Sequence, residues 1–293
     1  MAHVPVLANE VINFIKPRSG RNYIDCTLGD GGHAELILAH SSPDGRLLGI
    51  DRDQGSLRRA EKNLQRFHER TILIHESYSN LSTIIAHYNF LNIYGILFDL
   101  GISSYHIEES GGGFSFRANE PLDMRFNRLG QTETAADILN TRDKEQLEEI
   151  LEMFGEESYA LKIAEEIIRR RERRRIETTA DLLDIIRKVK RSTDKKIHPA
   201  TKTFQALRIA VNREMDLLAE VLPQMTENLE KGGRIAFISY HSLEDAIVKD
   251  FFQGLAQANE VKILTEKPVL PSLIERRENP RSRSAKLRVA EKI

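Results

Sequence analysis

The chain is poor in cysteine, in long apolar runs and in net charge. Cys26 is its only cysteine among 293 residues, which excludes an internal disulfide and a zinc cluster built on cysteines. No apolar run approaches the roughly 20 residues that a membrane-spanning helix needs. The N-terminus lacks the basic and apolar regions of a secretion signal. We therefore expect a reduced, soluble, cytoplasmic protein with no membrane contact.

The formal net charge is only −1, although 30% of the residues are charged. Such a chain is not a polycation, so any contact with nucleic acid must come from local basic patches. Residues 169–175 hold six arginines, which suit either a phosphate contact or a solvated helix end. Residues 275–293 hold seven basic and three acidic residues, which suit an RNA backbone.

The order of strand and helix patterns predicts the fold. Strand patterns at 22–26, 46–51, 71–75 and 94–99 alternate with helical ones, which is typical of a parallel sheet with right-handed crossovers. A loop at 107–130 and helices up to about residue 200 follow. A long helical stretch at 203–229, with a bend expected near Pro223, then leads to strands at 234–239, 261–264 and 286–290. The last two are close in sequence and predict an antiparallel finish.

We therefore predict an α/β, Rossmann-like fold of the S-adenosylmethionine (SAM)-dependent methyltransferase type. It has a seven-stranded sheet whose last strand is antiparallel, and an inserted all-helical domain. The expected boundaries give a discontinuous methyltransferase domain at 1–106 and 204–293. The inserted domain at 107–203 is expected to recognise the substrate.

A glycine-rich turn, DCTLGDGGH at residues 25–33, joins the first strand to the next helix. Glycines in such a turn let a ligand lie on the backbone, and Asp51 at the next strand end can accept hydrogen bonds from ribose hydroxyls. The spacing is shorter than in the dinucleotide fingerprint. It favours SAM, which has no phosphate, over a nicotinamide cofactor. A glycine turn without a ligand is the alternative.

Other polar groups follow the later strands. Asp99 ends the fourth strand, where it could hold the cofactor's ammonium group, accept a proton from the methyl acceptor, or cap the next turn. His241 follows the fifth strand and could touch a target base. Ser242 is expected to cap the helix that begins there. A serine hydrolase is disfavoured because no Gly-x-Ser-x-Gly elbow is present.

The loop at 107–130 carries two aromatic residues and a charged pair. Phe114 and Phe116 could stack on an extruded base or pack the loop against the core, and the second interpretation is favoured from the residues alone. Asp123 and Arg125 are close enough in sequence to form a local ion pair.

Taken in order along the chain, these motifs resemble those of the RsmH (MraW) family. The family consists of SAM-dependent methyltransferases that modify N4 of a cytidine in the decoding region of bacterial 16S ribosomal RNA (rRNA). The motifs that carry the resemblance are HVPVL at 3–7, the turn at 25–33, DRD at 51–53, DLGISS at 99–104, GFSF at 113–116, PLDMR at 121–125, HPATKTFQALRI at 198–209, HSLED at 241–245 and NPRSRSA at 279–285.

The resemblance implies a site and a partner. The cofactor-binding positions it implies are Gly31, Gly32, His33, Asp51, Tyr78, Asp99 and His106. It implies 16S rRNA or the small ribosomal subunit as partner and no metal-binding residues, and it leaves metal assistance and a homodimer open. Cys26 stands where the family usually has glycine.

For catalysis, we expect a pocket for the acceptor base lined by Asp99, Ser103, Asp123 and His241. Two other functions are kept open. One is a SAM-dependent methyltransferase of another nucleic acid, and the other is a non-enzymatic RNA-binding assembly factor on the same fold.

Overall fold

The computed structural model describes residues 5–190 and 198–293. The chain forms two compact units. The first, here called the sheet unit, comprises Met1–Gly101 and Met215–Ile293. The second, called the helical unit, comprises Ile102–Glu214.

Seven strands form a single sheet in the order β3-β2-β1-β4-β5-β7-β6. Their bounds are Asn22–Asp25 (β1), Arg46–Asp51 (β2), Thr71–His75 (β3), Ile93–Asp99 (β4), Leu229–Ser239 (β5), Val261–Ile263 (β6) and Lys286–Lys292 (β7). Strands β1 to β5 pair in parallel, and β7 is antiparallel to both β5 and β6. The predicted α/β fold with an antiparallel finish is thus confirmed.

Most of the helices lie where the periodicity of apolar residues predicts them. Within the described residues they are Ala8–Ile15 (α1), Gly32–His40 (α2), Gln54–Asn63 (α3), Leu81–His87 (α4), Ser104–Glu108 (α5), Ala135–Thr141 (α6), Lys144–Gly155 (α7), Ala160–Arg171 (α8), Thr179–Val189 (α9), Thr201–Asn212 (α10), Glu214–Asn228 (α11), Ser242–Gln257 (α12) and Leu273–Glu278 (α13). The sequence analysis did not predict α1, α5 or α13. None of the helices in the described ranges combines the length and apolarity needed to cross a membrane.

Two expectations about the segment 203–239 were wrong. The long helical stretch breaks at Arg213, whose left-handed φ of 51° ends α10, and α11 continues through Pro223. Strand β5 begins at Leu229 and not at residue 234. Gly232 adopts a φ of 75° inside it, and the register with β4 shifts there, so the strand is irregular at this point.

Alternate residues of a strand point to opposite faces of the sheet, and in this sheet both faces are buried. In β4, Ile96 and Phe98 join the core on one face, while Leu97 joins the core on the other. In β5, Phe237 and Ile238 divide in the same way. Covering both faces with helices is typical of parallel sheets, and it leaves the strand ends as the place for a site.

The helical unit has its own apolar core, formed mainly by α6 to α10. Three of these helices begin with a capping box, at Thr134, Asp143 and Thr178. Helix α10 packs against α7 and contributes Phe204 to this core. The expected domain boundary at 203/204 therefore falls inside a helix of this unit, whereas the observed units divide at 101/102 and 214/215.

Candidate active site

Three carboxylates end three adjacent strands of the sheet unit. Asp25 ends β1, Asp51 ends β2 and Asp99 ends β4, and β1 lies between the other two strands. Because parallel strands end at the same edge of a sheet, the three side chains belong to one edge. The chain reverses its strand order here, which is where α/β folds form their ligand crevice.

Asp51 holds the glycine-rich turn in place. Its Oδ2 accepts a hydrogen bond from the backbone N–H of Gly29 at 2.7 Å, and its Oδ1 accepts one from the N–H of Asp53 at 2.8 Å. Gly29 and Gly31 have φ values of 53° and 85°, in a region that favours glycine. Since each carboxylate oxygen can accept a second hydrogen bond, Asp51 keeps capacity for the two hydroxyls of a ribose.

Helix α3 supports the same turn at the next residue, Asp30. The Arg59 side chain donates to the Asp30 carboxylate at 2.8 Å, and the Asn63 amide donates to the Asp30 carbonyl oxygen at 2.9 Å. Neither residue was identified from the sequence, because both lie about 30 positions from their partner. Side chains from β2 and α3 therefore hold the turn at the adjacent residues Gly29 and Asp30.

Burial raises the pKa of all three carboxyl groups. The pKa of Asp25 rises to about 8, mainly through desolvation and also through the nearby charges of Asp99 and Asp51. Desolvation raises the pKa of Asp51 to about 6, against hydrogen bonds that favour its charged form. It raises the pKa of Asp99 to about 7, although a hydrogen bond from Tyr240 opposes the shift. Burial therefore favours the neutral forms of these acids, and a cation bound among them would favour the charged forms instead.

Asp99 has partners on three other segments of the sheet unit. The Tyr240 hydroxyl donates to its Oδ1 at 2.7 Å, and His33 Nε2 lies 3.7 Å from its Oδ2. Its backbone N–H donates to Thr27 Oγ1 at 2.6 Å. The structure therefore brings two of the predicted residues, Asp99 and His33, together, and adds Tyr240, which the sequence analysis did not single out.

Tyr78 and Cys26 lie just after strands β3 and β1, respectively. Tyr78 opens a short 3₁₀ turn after β3, and its ring meets Phe98 edge to face at 5.5 Å. Cys26 is 1% exposed in the apolar core, and burial raises the pKa of its thiol. It is absent from the residues with positive φ, so its backbone does not require a glycine.

Ser103 and His106 lie together in the helical unit. Ser103 caps α5, and its hydroxyl is 2.8 Å from His106 Nδ1. The His106 ring is buried and meets Phe114 and Phe126 at ring distances of 5.0 Å. A cofactor contact by His106 stays a prediction.

Asp123 forms the expected ion pair within the helical unit. Arg125 donates to both of its carboxylate oxygens, at 2.7 and 2.9 Å, and Arg128 approaches to 3.6 Å. The pair holds the pKa of Asp123 below its usual value despite partial burial. Asp123 is therefore an ionised, oriented carboxylate.

His241, and not Ser242, caps helix α12. Its Nδ1 accepts from the backbone N–H of Glu244 at 3.4 Å, and its Nε2 lies 3.1 Å from Glu244 Oε1. The expectation for Ser242 was wrong because His241 is the last residue with extended backbone, and Ser242 is already helical. This capping role fixes the orientation of the His241 ring.

The aromatic and basic segments of the helical unit have largely structural partners. Phe114 is buried in the core, as the favoured interpretation predicted, whereas the half-buried Phe116 stacks on His198 with ring centres 4.1 Å apart. Four of the six arginines at 169–175 are tied to neighbours within the unit: Arg169 to Glu166, Arg170 to Asp181, Arg171 to the carbonyl oxygens of Leu139 and Arg142, and Arg175 to Asp137. Arg173 and Arg174 are exposed.

The chemistry of the strand ends selects among nucleoside cofactors. A pyrophosphate beside Asp25 and Asp99 would oppose their ionisation further, whereas the ammonium and sulfonium groups of SAM would favour their charged forms. The free acceptor positions of Asp51 suit a ribose, and the bent glycine turn lets a ligand approach its backbone. The residues thus fit this cofactor. Sheet order and site together define a Rossmann-like, SAM-dependent methyltransferase.

Comparison with known proteins identifies the family within that class. The model of the MraW methylase family matches residues 1–293, and the chain belongs to this family. A protein of Persephonella marina called "Ribosomal RNA small subunit methyltransferase H" is 45% identical over 99% of both chains. One of the same description from Geotalea daltonii is 44% identical over 99% of this chain and 98% of its own.

Similarity to solved structures is weaker. A putative rRNA-methylase from Clostridium thermocellum aligns with 98% of this chain and 95% of its own at 13% identity and a TM-score of 0.46. That similarity is too weak to support a statement about function.

Proposed function

We propose that the protein transfers a methyl group from SAM to N4 of a cytidine in the decoding region of bacterial 16S rRNA. The observation that carries the proposal is the set of carboxylates at the ends of β1, β2 and β4, of which Asp25 is buried and Asp51 and Asp99 are partly buried, around a glycine turn held by Asp51. The names of the relatives support small-subunit rRNA as the substrate. The ordered motifs of the family support the cytidine N4 position.

The cofactor-binding roles follow from the chemistry of each residue. Asp51 would accept hydrogen bonds from the ribose hydroxyls, and Asp25 and Asp99 would face the cationic groups. Tyr78 offers a ring for stacking on adenine, and Gly31, Gly32 and His33 offer backbone at the start of α2. When bound, SAM supplies an electrophilic methyl group on a positively charged sulfur.

The acceptor nitrogen needs activation, since the lone pair of cytosine N4 is delocalised into the ring. A hydrogen-bond acceptor near the amino group would localise the lone pair and receive the proton. We propose Asp99, Ser103, Asp123 and His241 for contacts with the acceptor base. Among them Asp99 suits the proton-accepting role best, because its pKa of about 7 is matched to neutral pH.

We also propose that the helical unit contacts the rRNA. Its exposed Arg173 and Arg174 are candidates for phosphate contacts. A ribosomal RNA substrate implies a cytoplasmic enzyme. Two questions about its partners stay open. Activity on purified small subunits and on free 16S rRNA shows which of them is the substrate, and sedimentation shows whether the protein is a homodimer.

The direct test is methylation of 16S rRNA from a strain that lacks this gene, with the modified nucleotide mapped by mass spectrometry. Asp123→Ala and His241→Ala should retain SAM affinity and lose methylation. Asp143→Asn is the matched control, since it changes a helix-capping carboxylate into another good cap.

Each alternative has its own outcome in this test. Full turnover by both alanine variants would refute the assignment of Asp123 and His241. A methyl group on another nucleic acid would favour the first alternative function. RNA binding without SAM binding would favour the assembly factor.

A further inference from the structure

Tyr240 links the end of β5 to the end of β4. Its hydroxyl donates to Asp99 Oδ1 at 2.7 Å, although the two residues are 141 positions apart in sequence. Burial and the neighbouring Asp99 carboxylate raise the pKa of the Tyr240 hydroxyl well above its usual value. Tyr240 therefore keeps its proton, and remains a hydrogen-bond donor, throughout the pH range in which Asp99 titrates.

The position of the Tyr240 ring is itself determined by its surroundings. Its backbone N–H donates to Glu244 Oε2 at 2.8 Å, and Glu244 is only 2% exposed. Gly101 has a φ of 113°, and a Cβ at that position would lie 3.1 Å from the ring. A rigidly held donor loses little side-chain entropy when it orients a carboxylate, which is the requirement for preorganisation of a site.

Other charged groups face Asp99 from each neighbouring segment. His33 approaches Oδ2 from α2, Asp25 faces it from the end of β1, and Glu244 faces it from α12. The charge of Glu244 opposes ionisation of Asp99, and the charge of Asp99 in turn raises the pKa of Asp25. The Tyr240 hydroxyl is the hydrogen-bond donor to the Asp99 carboxylate among the side chains that the structure describes.

We propose that Tyr240 is a positioning residue that fixes Asp99 Oδ1 and keeps this carboxylate ionised, so that Oδ2 can meet the cationic part of the cofactor. The inference rests on the proposed binding of SAM beside Asp99, and it assigns to Tyr240 a role in cofactor affinity. A hydrogen bond to a charged acceptor has the strength needed for such a role.

The test measures SAM affinity by titration calorimetry from pH 5.5 to 8.5. Wild-type affinity should fall as the pH is lowered through about 7. In Tyr240→Phe the midpoint of this pH profile should move up by about one pH unit. The affinity of the variant should then be roughly eightfold below that of wild type at pH 6.5, and less than twofold below it at pH 8.5. SAM titrates in the same way with wild type and with every variant, so a difference between their midpoints arises from the protein.

Three further proteins complete the experiment. Tyr88→Phe removes the hydroxyl of an exposed tyrosine of the same unit and should leave the profile unchanged. Asp99→Asn should bind weakly, with a flatter profile. If Tyr240→Phe does not fold, 3-fluorotyrosine at position 240 serves instead; its hydroxyl is a stronger donor, so the midpoint should move down.

The outcomes separate the inference from the proposed function. An unmoved midpoint in Tyr240→Phe, or an equal loss of affinity at every pH, would overturn the role of Tyr240 while SAM binding stands. No SAM binding by the wild-type protein at any pH would overturn both. A midpoint that moves up with phenylalanine, or down with fluorotyrosine, supports the role of Tyr240.

Discussion

The carboxylate of Asp51 accepts a 2.7 Å hydrogen bond from the backbone N–H of Gly29. The residue that is expected to bind the ribose thus also shapes the turn on which the cofactor would lie. A second hydrogen bond, from Asp53, fixes the other oxygen. Asp51 thus gives the site a carboxylate, holds the shape of the turn and is expected to contact the ligand. Its substitution should affect all three properties.

Asp51→Asn should lower SAM affinity by about 10- to 100-fold, since hydrogen bonds to a charged group contribute ~1.5–3 kcal/mol. Calorimetry at pH 7.5 measures the loss. Asp44→Asn is a close control, because Asp44 also accepts a 2.7 Å hydrogen bond from a glycine N–H, that of Gly20, but on an exposed loop. Equal affinities for both variants would exclude Asp51 from the cofactor site.

The buried Asp25 should make stability depend on pH. Its folded-state pKa of about 8 lies above the ordinary 3.8, so its contribution to stability is fully present below about pH 4 and is lost as the pH rises towards 8. Asp25→Asn removes this titration. We compare the free energies of unfolding of the two proteins without ligand. Relative to wild type, that of the variant should rise by ~1 kcal/mol or more between pH 5 and pH 8, which corresponds to roughly 2–4 °C in melting temperature.

Asp44 is a control for that experiment, because its contribution to stability has the opposite dependence on pH. Hydrogen bonds from Ser19 and Gly20 lower its pKa, so its contribution is present above the ordinary pKa and is lost as the pH falls. Asp44→Asn should therefore show no gain between pH 5 and pH 8. A gain of the same size in both variants would trace the effect to net charge and not to burial.

The two phenylalanines of the long loop should differ in their effect on folding. Phe114→Ala should destabilise the protein by ~3–5 kcal/mol, because it empties a buried position in the core of the helical unit. Phe116→Ala should cost clearly less, since this ring is half-buried beside His198. Denaturant unfolding measures both, and equal costs would contradict the assignment of Phe114 to the core.

Arg173 and Arg174 should contribute to rRNA affinity without specificity. Replacing each by alanine should weaken binding and reduce the salt dependence of log K by about 0.7–0.9 per phosphate contact. Filter binding at several salt concentrations gives the slope. Arg58→Ala, on the exposed side of α3, is the control, and an unchanged slope in Arg173→Ala and Arg174→Ala would remove these residues from the proposed interface.

Local patterns predicted most of the secondary structure of this chain, and particular elements show where they stop. Strand β2 is an apolar run that ends in an acid, and Thr178 begins α9 with a capping box; both signals lie within a few residues. The break at Arg213 has no such signal, because an arginine seldom adopts a left-handed φ unless the surrounding packing imposes it. The helix-breaking Pro223 was the stronger local signal, and it was misleading.

Some residues of the candidate site could likewise be predicted from local sequence patterns, and others could not. The glycine turn, Asp51 and Asp99 could be found from the sequence because strand ends in a parallel sheet converge by topology. Tyr240 could not, since its role depends on a contact between residues 141 positions apart. The capping role of His241 was also missed, because Ser242 is the stronger capping residue by type.

The sequence by itself determined the order of the strands and of most helices, the acid-lined glycine turn and, through its ordered motifs, the family. These depend on spacing and residue type, which are properties of short segments. The tertiary structure alone decided which carboxylates lose their water, which of them share partners, and where the chain divides into units. Desolvation and long-range hydrogen bonds depend on packing between distant segments, so the raised pKa of Asp99 and its contact with Tyr240 emerge only when the sheet is assembled.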